Sequence, residues 1–309
     1  MTNPALAKRT VLLTGATGFL GSHLLKTLLS AGYKVVILKR STSNTWRIAS
    51  LLDQIVSYDI DRVSLTQAFE DQHINSIIHT ACHYGRNGDP VHQIVETNLM
   101  FGLKLLDTAT FFNTDTFFNT DTLLHKHLNE YTLSKNQFLE WLRRRSHKIQ
   151  IINFKLEHMY GPKDDFKKLV PWVLYQLKEN VDEIKLTQGE QKRDFIYVDD
   201  VVSAYLKILE KSPILAAFNE FDVGTGKSVI LKQFLEQLKA SYEMNFGISL
   251  TRLAFGKIPY REDEVMNVEV NNKPLLGLGW KNETKLEDGL KIVVQDFKNN
   301  FQNSANTWI

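Results

Sequence analysis

The sequence contains very little cysteine and no marked excess of either charge. Cys82 is the only cysteine among 309 residues, which excludes an intrachain disulfide and a zinc site built from several cysteines, and no metal site is predicted. Lysine and arginine number 37 against 35 aspartates and glutamates, a formal net charge of +2. This balance gives no electrostatic reason to expect nucleic acid or a membrane surface as a partner. Any anion site must therefore be local.

Long apolar segments are also absent. No apolar run approaches the roughly 20 residues that a membrane-spanning helix requires. The first ten residues lack the charged start, the apolar stretch and the cleavage site of a signal peptide. Together with the single cysteine, these features predict a soluble protein of the cytoplasm. An apolar content of 43% is enough for a large buried core.

Short β-branched segments alternate with helical patterns through the first half of the chain. Residues 10–14, 34–38 and 76–79 have the pattern of strands, and residues 22–31, 65–70 and 94–108 have the pattern of helices. Strands separated by helices predict right-handed crossovers and a parallel sheet covered by helices on both faces. The expected fold class is α/β, a Rossmann-like doubly wound parallel sheet.

The pattern becomes less regular after Pro162. We predict a dinucleotide-binding domain over residues 1–162, to which residues 194–226 return. Residues 163–193 and 227–309 are predicted to form a smaller, mixed lobe that binds the substrate.

A hexapeptide, Phe-Phe-Asn-Thr-Asp-Thr, occurs at residues 111–116 and again at 117–122. It is too short to be a repeat unit of a solenoid. Because the helix through residues 98–109 must turn before a strand can begin, the second copy is predicted to form the strand. Thr114, in the first copy, is then a turn residue.

A glycine-rich turn follows the first predicted strand and opens the first helix. Glycines permit a tight turn, and the first amides of a helix attract a pyrophosphate. The predicted dinucleotide-binding residues of this turn are Gly15, Thr17, Gly18, Phe19, Leu20 and Gly21.

The end of the second predicted strand bears on the choice of cofactor. A carboxylate at this point selects NAD, because it accepts hydrogen bonds from the ribose 2′-hydroxyl and repels a 2′-phosphate. The chain instead has Lys39, Arg40 and Ser41, two cations beside a hydroxyl, which favour NADP(H). The alternative interpretation is a solvated basic strand end.

Tyr131 and Lys135 are four residues apart on a predicted helix and therefore share one face. Reduction of a carbonyl needs a proton donor at its oxygen, and a phenol with a pKa near 10 is a poor acid or base at neutral pH unless a cation lies nearby. We expect Lys135 to lower the pKa of Tyr131 and to hold the nicotinamide ribose.

The Gly-x-x-Gly-x-x-Gly spacing and the Tyr-x-x-x-Lys pair together resemble the extended short-chain dehydrogenase/reductase family. The resemblance implies that Thr120 completes a catalytic triad with Tyr131 and Lys135, and that Asn98 props the site. It also implies that the dinucleotide contacts several further residues: Asp59, Ile60, Thr80, Ala81, Cys82, Leu156 and His158.

Within this family, residues 82–86, 155–161 and 186–195 resemble the 4-ketoreductases that complete CDP-linked 3,6-dideoxyhexoses for bacterial O-antigens, a part of lipopolysaccharide. That likeness implies reduction of a CDP-linked 4-keto sugar by NADPH, and a homodimer formed by two-helix packing. The substrate-binding residues it implies are His83, Tyr84, Arg86, Asp121, Lys168, Arg193, Arg261 and Glu264. Asp199 and Asp200 are expected to cap the helix that follows them.

Three alternatives are considered. Sugar 4,6-dehydratases of the family carry Thr-Asp-Glu, and Thr122 in place of the glutamate argues against dehydration. A nucleotide-sugar 4-epimerase would use the same triad with tightly bound NAD, which Lys39 and Arg40 argue against. A non-catalytic dinucleotide sensor would need the glycine turn but not the triad.

Overall fold

A computed structural model describes residues 9–86, 88–262 and 264–303. The chain divides into two compact units. The first contains Met1–Leu156, Val202–Val223 and Gly277–Trp280, and the second contains Glu157–Val201, Gly224–Leu276 and Lys281–Ile309.

The first unit begins with alternating strands and helices. Its elements up to Leu156 are β1 (Thr10–Thr14), α1 (Phe19–Ser30), β2 (Lys34–Lys39), a 3-10 helix (Trp46–Gln54), β3 (Val56–Asp59), α2 (Gln67–Asp71), β4 (Ser76–His79), α3 (Val91–Val95), a π-helical turn (Glu96–Met100), α4 (Phe101–Phe111), β5 (Thr116–Thr122), α5 (Glu130–Arg145) and β6 (Gln150–Leu156).

The remaining elements follow β6 along the chain. They are β7 (His158–Tyr160), α6 (Leu169–Lys178), β8 (Glu183–Lys185), β9 (Lys192–Arg193), β10 (Phe195–Tyr197), α7 (Val198–Lys211), a 3-10 turn (Ser212–Ile214), β11 (Phe218–Val223), β12 (Val229–Ile230), α8 (Leu231–Phe246), β13 (Arg252–Ala254), α9 (Lys273–Gly277) and α10 (Leu286–Asn303).

Seven parallel strands form one sheet in the order β11-β6-β5-β4-β1-β2-β3. The order reverses between β1 and β4, which is the point where doubly wound sheets bind ligands at the carboxyl ends of their strands. The predicted α/β, Rossmann-like fold class is confirmed.

The central strands of this sheet are buried on both faces. All five residues of β1 are buried, as expected for a strand that has helices above and below it. On one face Phe117 packs with Phe138 of α5, and on the other Phe118 and Phe154 pack with Tyr205 of α7. These aromatic contacts fix the helices that carry the candidate site.

The repeated hexapeptide adopts two different structures. Strand β5 has the sequence Thr-Phe-Phe-Asn-Thr-Asp-Thr and contains the whole second copy. The first copy begins at the last residue of α4, Phe111, and turns through Asn113, which has a left-handed backbone with φ of 54°. The prediction that the second copy forms the strand agrees with the structure, and Thr114 lies in the turn.

The second unit has its own core of buried apolar side chains. Three two-stranded pairs, β7 with β10, β9 with β12, and β8 with β13, accompany helices α6, α8 and α10. Phe195 and Phe234 stack with ring centroids 3.6 Å apart within this core. None of the helices in the described parts of the chain is long and apolar enough to cross a membrane.

Candidate active site

The glycine turn after β1 is closed by contacts that only glycine permits. Gly15 has φ of +69°, and a Cβ there would lie 2.6 Å from Thr80 Oγ1 and 2.7 Å from the Ala81 backbone nitrogen. A Cβ on Gly21 would lie 2.1 Å from the Gly15 carbonyl oxygen, which also accepts a hydrogen bond from the Gly18 amide at 2.9 Å. The turn therefore presents backbone, with little side chain, at the start of α1.

Helix α1 opens with no side chain bonded to its first amides. Its N-cap is Gly18, which makes no side-chain cap, and no acidic residue occupies its first turn. The twelve-residue helix thus directs unsatisfied N–H groups and the positive end of its dipole outward, beginning at Phe19 and Leu20. This arrangement fits a dinucleotide pyrophosphate, and NAD(P) is the group that the turn would hold.

The basic end of β2 is partly neutralised by the protein itself. Lys39 forms an ion pair with Asp59 at the end of β3, and the Ser41 hydroxyl donates to Asp61 at 2.5 Å. Arg40 is exposed and makes no ion pair among the described residues. Two of the three residues expected to recognise a 2′-phosphate, Lys39 and Ser41, are therefore bonded to carboxylates of the protein.

A second arginine lies beside the glycine turn. Arg47, in the 3-10 helix, donates from Nη1 to the Thr17 carbonyl oxygen at 3.4 Å, and its guanidinium lies over the Trp46 ring, 4.5 Å from the centroid. Arg47 was not predicted from the sequence, because it lies six residues after the Lys39-Arg40-Ser41 segment, in a 3-10 helix without a distinctive sequence pattern.

The end of β4 is tied to the end of β1. Thr80 donates from Oγ1 to the Thr14 carbonyl oxygen at 2.7 Å, and the Ala81 amide donates to Thr14 Oγ1 at 3.3 Å. Ile60, after β3, donates its amide to the Lys39 carbonyl oxygen at 2.9 Å. These bonds bring Thr80, Ala81 and Ile60 to the carboxyl edge of the sheet.

Helix α5 is anchored by a capping box. The Asn129 side chain accepts from the Thr132 amide at 3.0 Å, and the Thr132 hydroxyl accepts from the Asn129 amide at 3.2 Å. Glu130 in the first turn and three arginines in the last turn match the helix dipole. The cap fixes the first turn of the helix, where Tyr131 lies.

Lys135 is buried one helical turn after Tyr131. It is 2% exposed, and its ammonium has no hydrogen-bond or ion-pair partner within the described residues. A buried ammonium normally requires a partner. The observation fits a role in holding the hydroxyls of a nicotinamide ribose.

Thr120 lies near the end of β5 and is bonded to a residue that sequence analysis did not single out. Its hydroxyl lies 2.7 Å from the hydroxyl of Tyr205 in α7, within the first unit. Tyr205 is fully buried, and burial raises the pKa of its hydroxyl above the ordinary range, which keeps it protonated. Tyr205 had no sequence signal, since it stands inside an amphipathic helix among apolar residues.

The environment of Tyr131 overturns one expectation. Burial raises the pKa of its hydroxyl well above the usual value; Cys82 and Asp121 raise it further, and Arg86 opposes them. Lys135 was expected to lower this pKa, yet its charge acts on His79 and Asp121. Tyr131 is therefore held protonated, because burial, Cys82 and Asp121 together outweigh the opposing effect of Arg86 on its pKa.

The segment after β4 brings a second phenol to Tyr131. The rings of Tyr84 and Tyr131 lie 5.0 Å apart, and the Arg86 guanidinium lies 4.6 Å from the centroid of the Tyr84 ring. Cys82 raises the pKa of the Tyr84 hydroxyl, with smaller contributions from burial and Tyr131. Cys82, Tyr84, Arg86 and Tyr131 are thus gathered in one cluster.

Asn98 braces this cluster from a π-helical turn, a form often found at functional sites. Its side chain accepts from the His83 amide at 2.7 Å and donates to the His83 carbonyl oxygen at 2.9 Å and to Ser134 Oγ at 2.9 Å. The bonds join the segment after β4 to α5, which agrees with the supporting role expected of Asn98. The π geometry had no sequence signal.

Asp121 is directed into the protein. It is 6% exposed; one carboxyl oxygen accepts from the Thr122 amide at 2.8 Å, and the other accepts from Asn153 Nδ2 at 3.1 Å. This geometry favours a role inside the first unit over the predicted contact with a sugar.

In the second unit, Arg193 is bonded to neighbouring protein groups. Its guanidinium forms an ion pair with Glu264 and donates to the Val265 carbonyl oxygen at 2.6 Å. Arg193 is 9% exposed. Its predicted contact with a nucleotide would have to use guanidinium N–H groups that are not already bonded to Glu264 or Val265. Arg261 is exposed, and Lys168 is the N-cap residue of α6.

Two other expected positions flank the end of β6. Leu156, its last residue, is buried. His158, in β7 of the second unit, is hydrogen-bonded to Glu157, with Nδ1 and Oε2 2.5 Å apart.

Asp200 was expected to cap its helix, and its carboxylate accepts from the amides of Glu283 and Thr284 at 2.8 and 3.1 Å. These two partners lie more than 80 residues further along the chain.

The sequence profile described as "NAD dependent epimerase/dehydratase family" matches residues 11–224, more than half of the chain. The chain belongs to this family. The match contains the glycine turn and the Thr120, Tyr131 and Lys135 positions, and the family expected from the sequence, also called the extended short-chain dehydrogenase/reductases, is confirmed.

Among members of the family, a CDP-abequose synthase from Salmonella muenchen is 36% identical over 290 residues, covering 91% of this chain and 95% of that protein. A UDP-glucose 4-epimerase with UDP-glucose from Thermotoga maritima has a TM-score of 0.82 at 21% identity, covering 94% of this chain and 99% of that one. A UDP-glucose-4-epimerase from Stenotrophomonas maltophila with bound NAD has a TM-score of 0.82 at 18% identity, covering 96% and 100%. The two structures show that this chain shares the family fold.

Proposed function

We propose that the protein is an NADPH-dependent 4-ketoreductase that acts on a CDP-linked 4-keto-6-deoxy or 3,6-dideoxy sugar. The observation that supports the proposal is the cluster of Tyr131 with Cys82, Tyr84 and Arg86 after β4, with Lys135 buried one helical turn after Tyr131. The 36% identity to a CDP-abequose synthase over nearly the full length supports the substrate class.

In the proposed reaction, bound NADPH would supply the hydride that reduces carbon 4 of the sugar. The Tyr131 hydroxyl gives its proton to the carbonyl oxygen, so that the ketone becomes an alcohol and Tyr131 becomes a phenolate that solvent must reprotonate. Thr120, held by Tyr205 at 2.7 Å, donates a hydrogen bond to the same oxygen. Lys135 would hold the hydroxyls of the nicotinamide ribose.

The proposed preference for NADPH rests on Arg40. Lys39 and Ser41 are engaged by Asp59 and Asp61, so Arg40 is the residue of this group that remains available to a 2′-phosphate. A guanidinium recognises phosphate through two parallel hydrogen bonds, and the exposed position of Arg40 allows this.

Apart from Asp121, the proposed substrate residues are those that the sequence suggests. In the first unit, His83, Tyr84 and Arg86 are proposed to contact the sugar, because Tyr84 stands beside Tyr131. In the second unit, we propose that Lys168, Arg193, Arg261 and Glu264 bind the nucleotide diphosphate. The expected setting is the cytoplasm of a bacterium, in the synthesis of O-antigen precursors.

The proposal is tested by incubating CDP-4-keto sugars with the protein and with NADPH or NADH in parallel, and by following the product by NMR. We expect a 4-hydroxy sugar with NADPH and slower conversion with NADH. Tyr131→Phe should lower kcat by about 10²-fold or more while NADPH affinity is retained, since it removes the proton donor alone.

Tyr175→Phe is the matched control, because Tyr175 is an exposed tyrosine of α6. It should retain the activity of the unaltered protein. Full activity of Tyr131→Phe would refute the catalytic assignment, and turnover of no nucleotide-linked 4-keto sugar would refute the function.

The second candidate is a nucleotide-sugar 4-epimerase with tightly bound NAD. The ion pair of Lys39 with Asp59 favours it, since the pair removes one of the two cations that argue for NADPH. Purified protein that carries NAD and interconverts C4 epimers without added NADPH would establish this function instead.

A further inference from the structure

The hydroxyl of Tyr205 is a buried polar group within an aromatic cluster of the first unit. Its ring centroid lies 4.4 Å from that of Phe154 in β6 and 6.5 Å from that of Phe118 in β5, and the residue is 0% exposed. A phenylalanine at this position of α7 would fill the same space between the rings. Because burying a hydroxyl costs free energy unless it is bonded, the oxygen of Tyr205 has to be explained by its hydrogen bond.

That hydrogen bond joins Tyr205 to Thr120, near the end of β5. The two hydroxyl oxygens lie 2.7 Å apart. In the described parts of the chain, neither hydroxyl has another hydrogen-bond partner. The two residues differ in exposure, since Tyr205 is completely buried whereas Thr120 is partly exposed.

This difference in burial decides which of the two hydroxyls donates. Each hydroxyl has one proton, and only one of the two protons can lie in the bond. If Thr120 donated, the proton of Tyr205 would be buried with no acceptor among the described residues, which is the more costly arrangement. If Tyr205 donates, its proton is bonded, and the proton of Thr120 remains free on a partly exposed side chain. Tyr205 is therefore the donor.

We propose that Tyr205 is a positioning residue that, by donating to Thr120, leaves the Thr120 proton free to bond the carbonyl oxygen of the substrate. The inference rests on the proposed ketoreductase function, in which Thr120 donates to that oxygen. Negative charge develops on the oxygen when the ketone is reduced, and a donor that is already oriented stabilises this charge most in the transition state. Tyr205 acts through Thr120 and does not itself contact the sugar.

The test is a double-mutant cycle of Tyr205→Phe and Thr120→Val, measured on the reduction of a CDP-4-keto sugar by NADPH. Both changes keep the shape of the side chain and remove a hydroxyl. Thr120→Val should lower kcat by about 10²-fold, and Tyr205→Phe by about tenfold with little change in KM, because the Thr120 proton loses its fixed direction. In the Thr120→Val background, Tyr205→Phe should lower kcat no further, because no proton is left to orient.

Tyr242→Phe is the matched control. It removes the hydroxyl of another buried tyrosine, on α8 of the second unit, whose ring stacks on Phe246. Its kcat should equal that of the unaltered protein. The proposal is overturned if Tyr205→Phe leaves kcat unchanged, if it lowers kcat by the same factor with and without Thr120, or if Tyr242→Phe lowers kcat equally.

A second readout does not depend on turnover. Urea unfolding of the proteins in the cycle reports on the hydrogen bond itself. Tyr205→Phe should lower the urea midpoint when Thr120 is present, because a bond is lost. In the Thr120→Val background it should raise the midpoint, because it removes a buried proton that has no acceptor.

Shifts of the same sign in the two backgrounds, or no shift in either, contradict a donor role for Tyr205. If no 4-keto sugar is reduced, the ketoreductase proposal fails, while the signs of the two midpoint shifts still decide whether Tyr205 donates to Thr120.

Discussion

Two residues near the candidate site are polar groups buried without the usual compensation. Lys135 is 2% exposed, and His79 is fully buried with no hydrogen-bond partner at Nε2 among the described residues. Thr14 Oγ1 accepts from the Ala81 amide at 3.3 Å, so its hydroxyl proton is free to donate to His79 Nδ1 at 2.8 Å. In that arrangement His79 is neutral, with its proton on Nε2 facing aromatic rings.

The stability of the protein should depend on pH through His79. Burial, with a smaller contribution from the charge of Lys135, lowers the pKa of His79 to about 3 from the usual 6.5. Between pH 6.5 and about 3, His79 is therefore protonated in the unfolded chain and neutral in the folded chain. Stability from this residue is complete above pH 6.5 and declines as the pH falls toward 3, by up to about 1.4 kcal/mol per pH unit.

We expect His79→Asn to remove this slope. Urea unfolding at several pH values between 4 and 7 should show the free energy of unfolding falling less steeply with acid in the variant, although the variant is less stable at pH 7. Equal slopes in the two proteins would contradict the assignment of a neutral, buried His79.

At the scale of single elements, the glycine turn and the capped helix α5 were predictable from sequence because their signals are local. Glycine spacing after a strand, and a Tyr and a Lys on one helical face, require no knowledge of distant residues. The partners of Lys39, Arg193 and Asp200 could not be predicted in this way. Each bonds to a residue on another element, and those pairings depend on strand register and on loop paths that no short pattern encodes.

The closure of the glycine turn gives a prediction for Gly21. Gly21→Ala places a methyl group 2.1 Å from the Gly15 carbonyl oxygen, so the backbone must move. We expect a loss of about 1–3 kcal/mol in the free energy of unfolding and weaker dinucleotide binding, measured by denaturant unfolding and by calorimetry with NADPH.

Gly277→Ala is the control for that substitution, because a Cβ at Gly277 would have no atom within 4 Å. Its stability should stay within about 0.5 kcal/mol of the unaltered protein. Similar losses in the two variants would mean that the Gly15–Gly21 contact is not what restricts the turn.

At the scale of the whole molecule, the homodimer remains a prediction from the sequence, and exposed apolar side chains of the first unit are candidates for its interface. Large apolar side chains are exposed on the π turn, α4 and α5, with Met100 39%, Phe111 78% and Trp141 48% exposed. Such side chains on adjacent helices are typical of protein interfaces.

Sedimentation equilibrium should therefore give twice the 35.6 kDa chain mass at micromolar concentration. Trp141→Glu should shift the protein toward the monomer, whereas Met244→Glu, an equally drastic change at an exposed position of α8, should not. A monomeric unaltered protein would exclude the dimer.

The repeated segment bears on how the sheet is assembled. The letters of β5, Thr-Phe-Phe-Asn-Thr-Asp-Thr, also stand at residues 110–116, so a folding chain has two identical candidates for one place between β4 and β6. The side chains of the strand cannot decide between them. Which copy becomes β5 must therefore depend on the lengths of the connections on either side. The position of this strand in the sheet is determined by residues outside the strand.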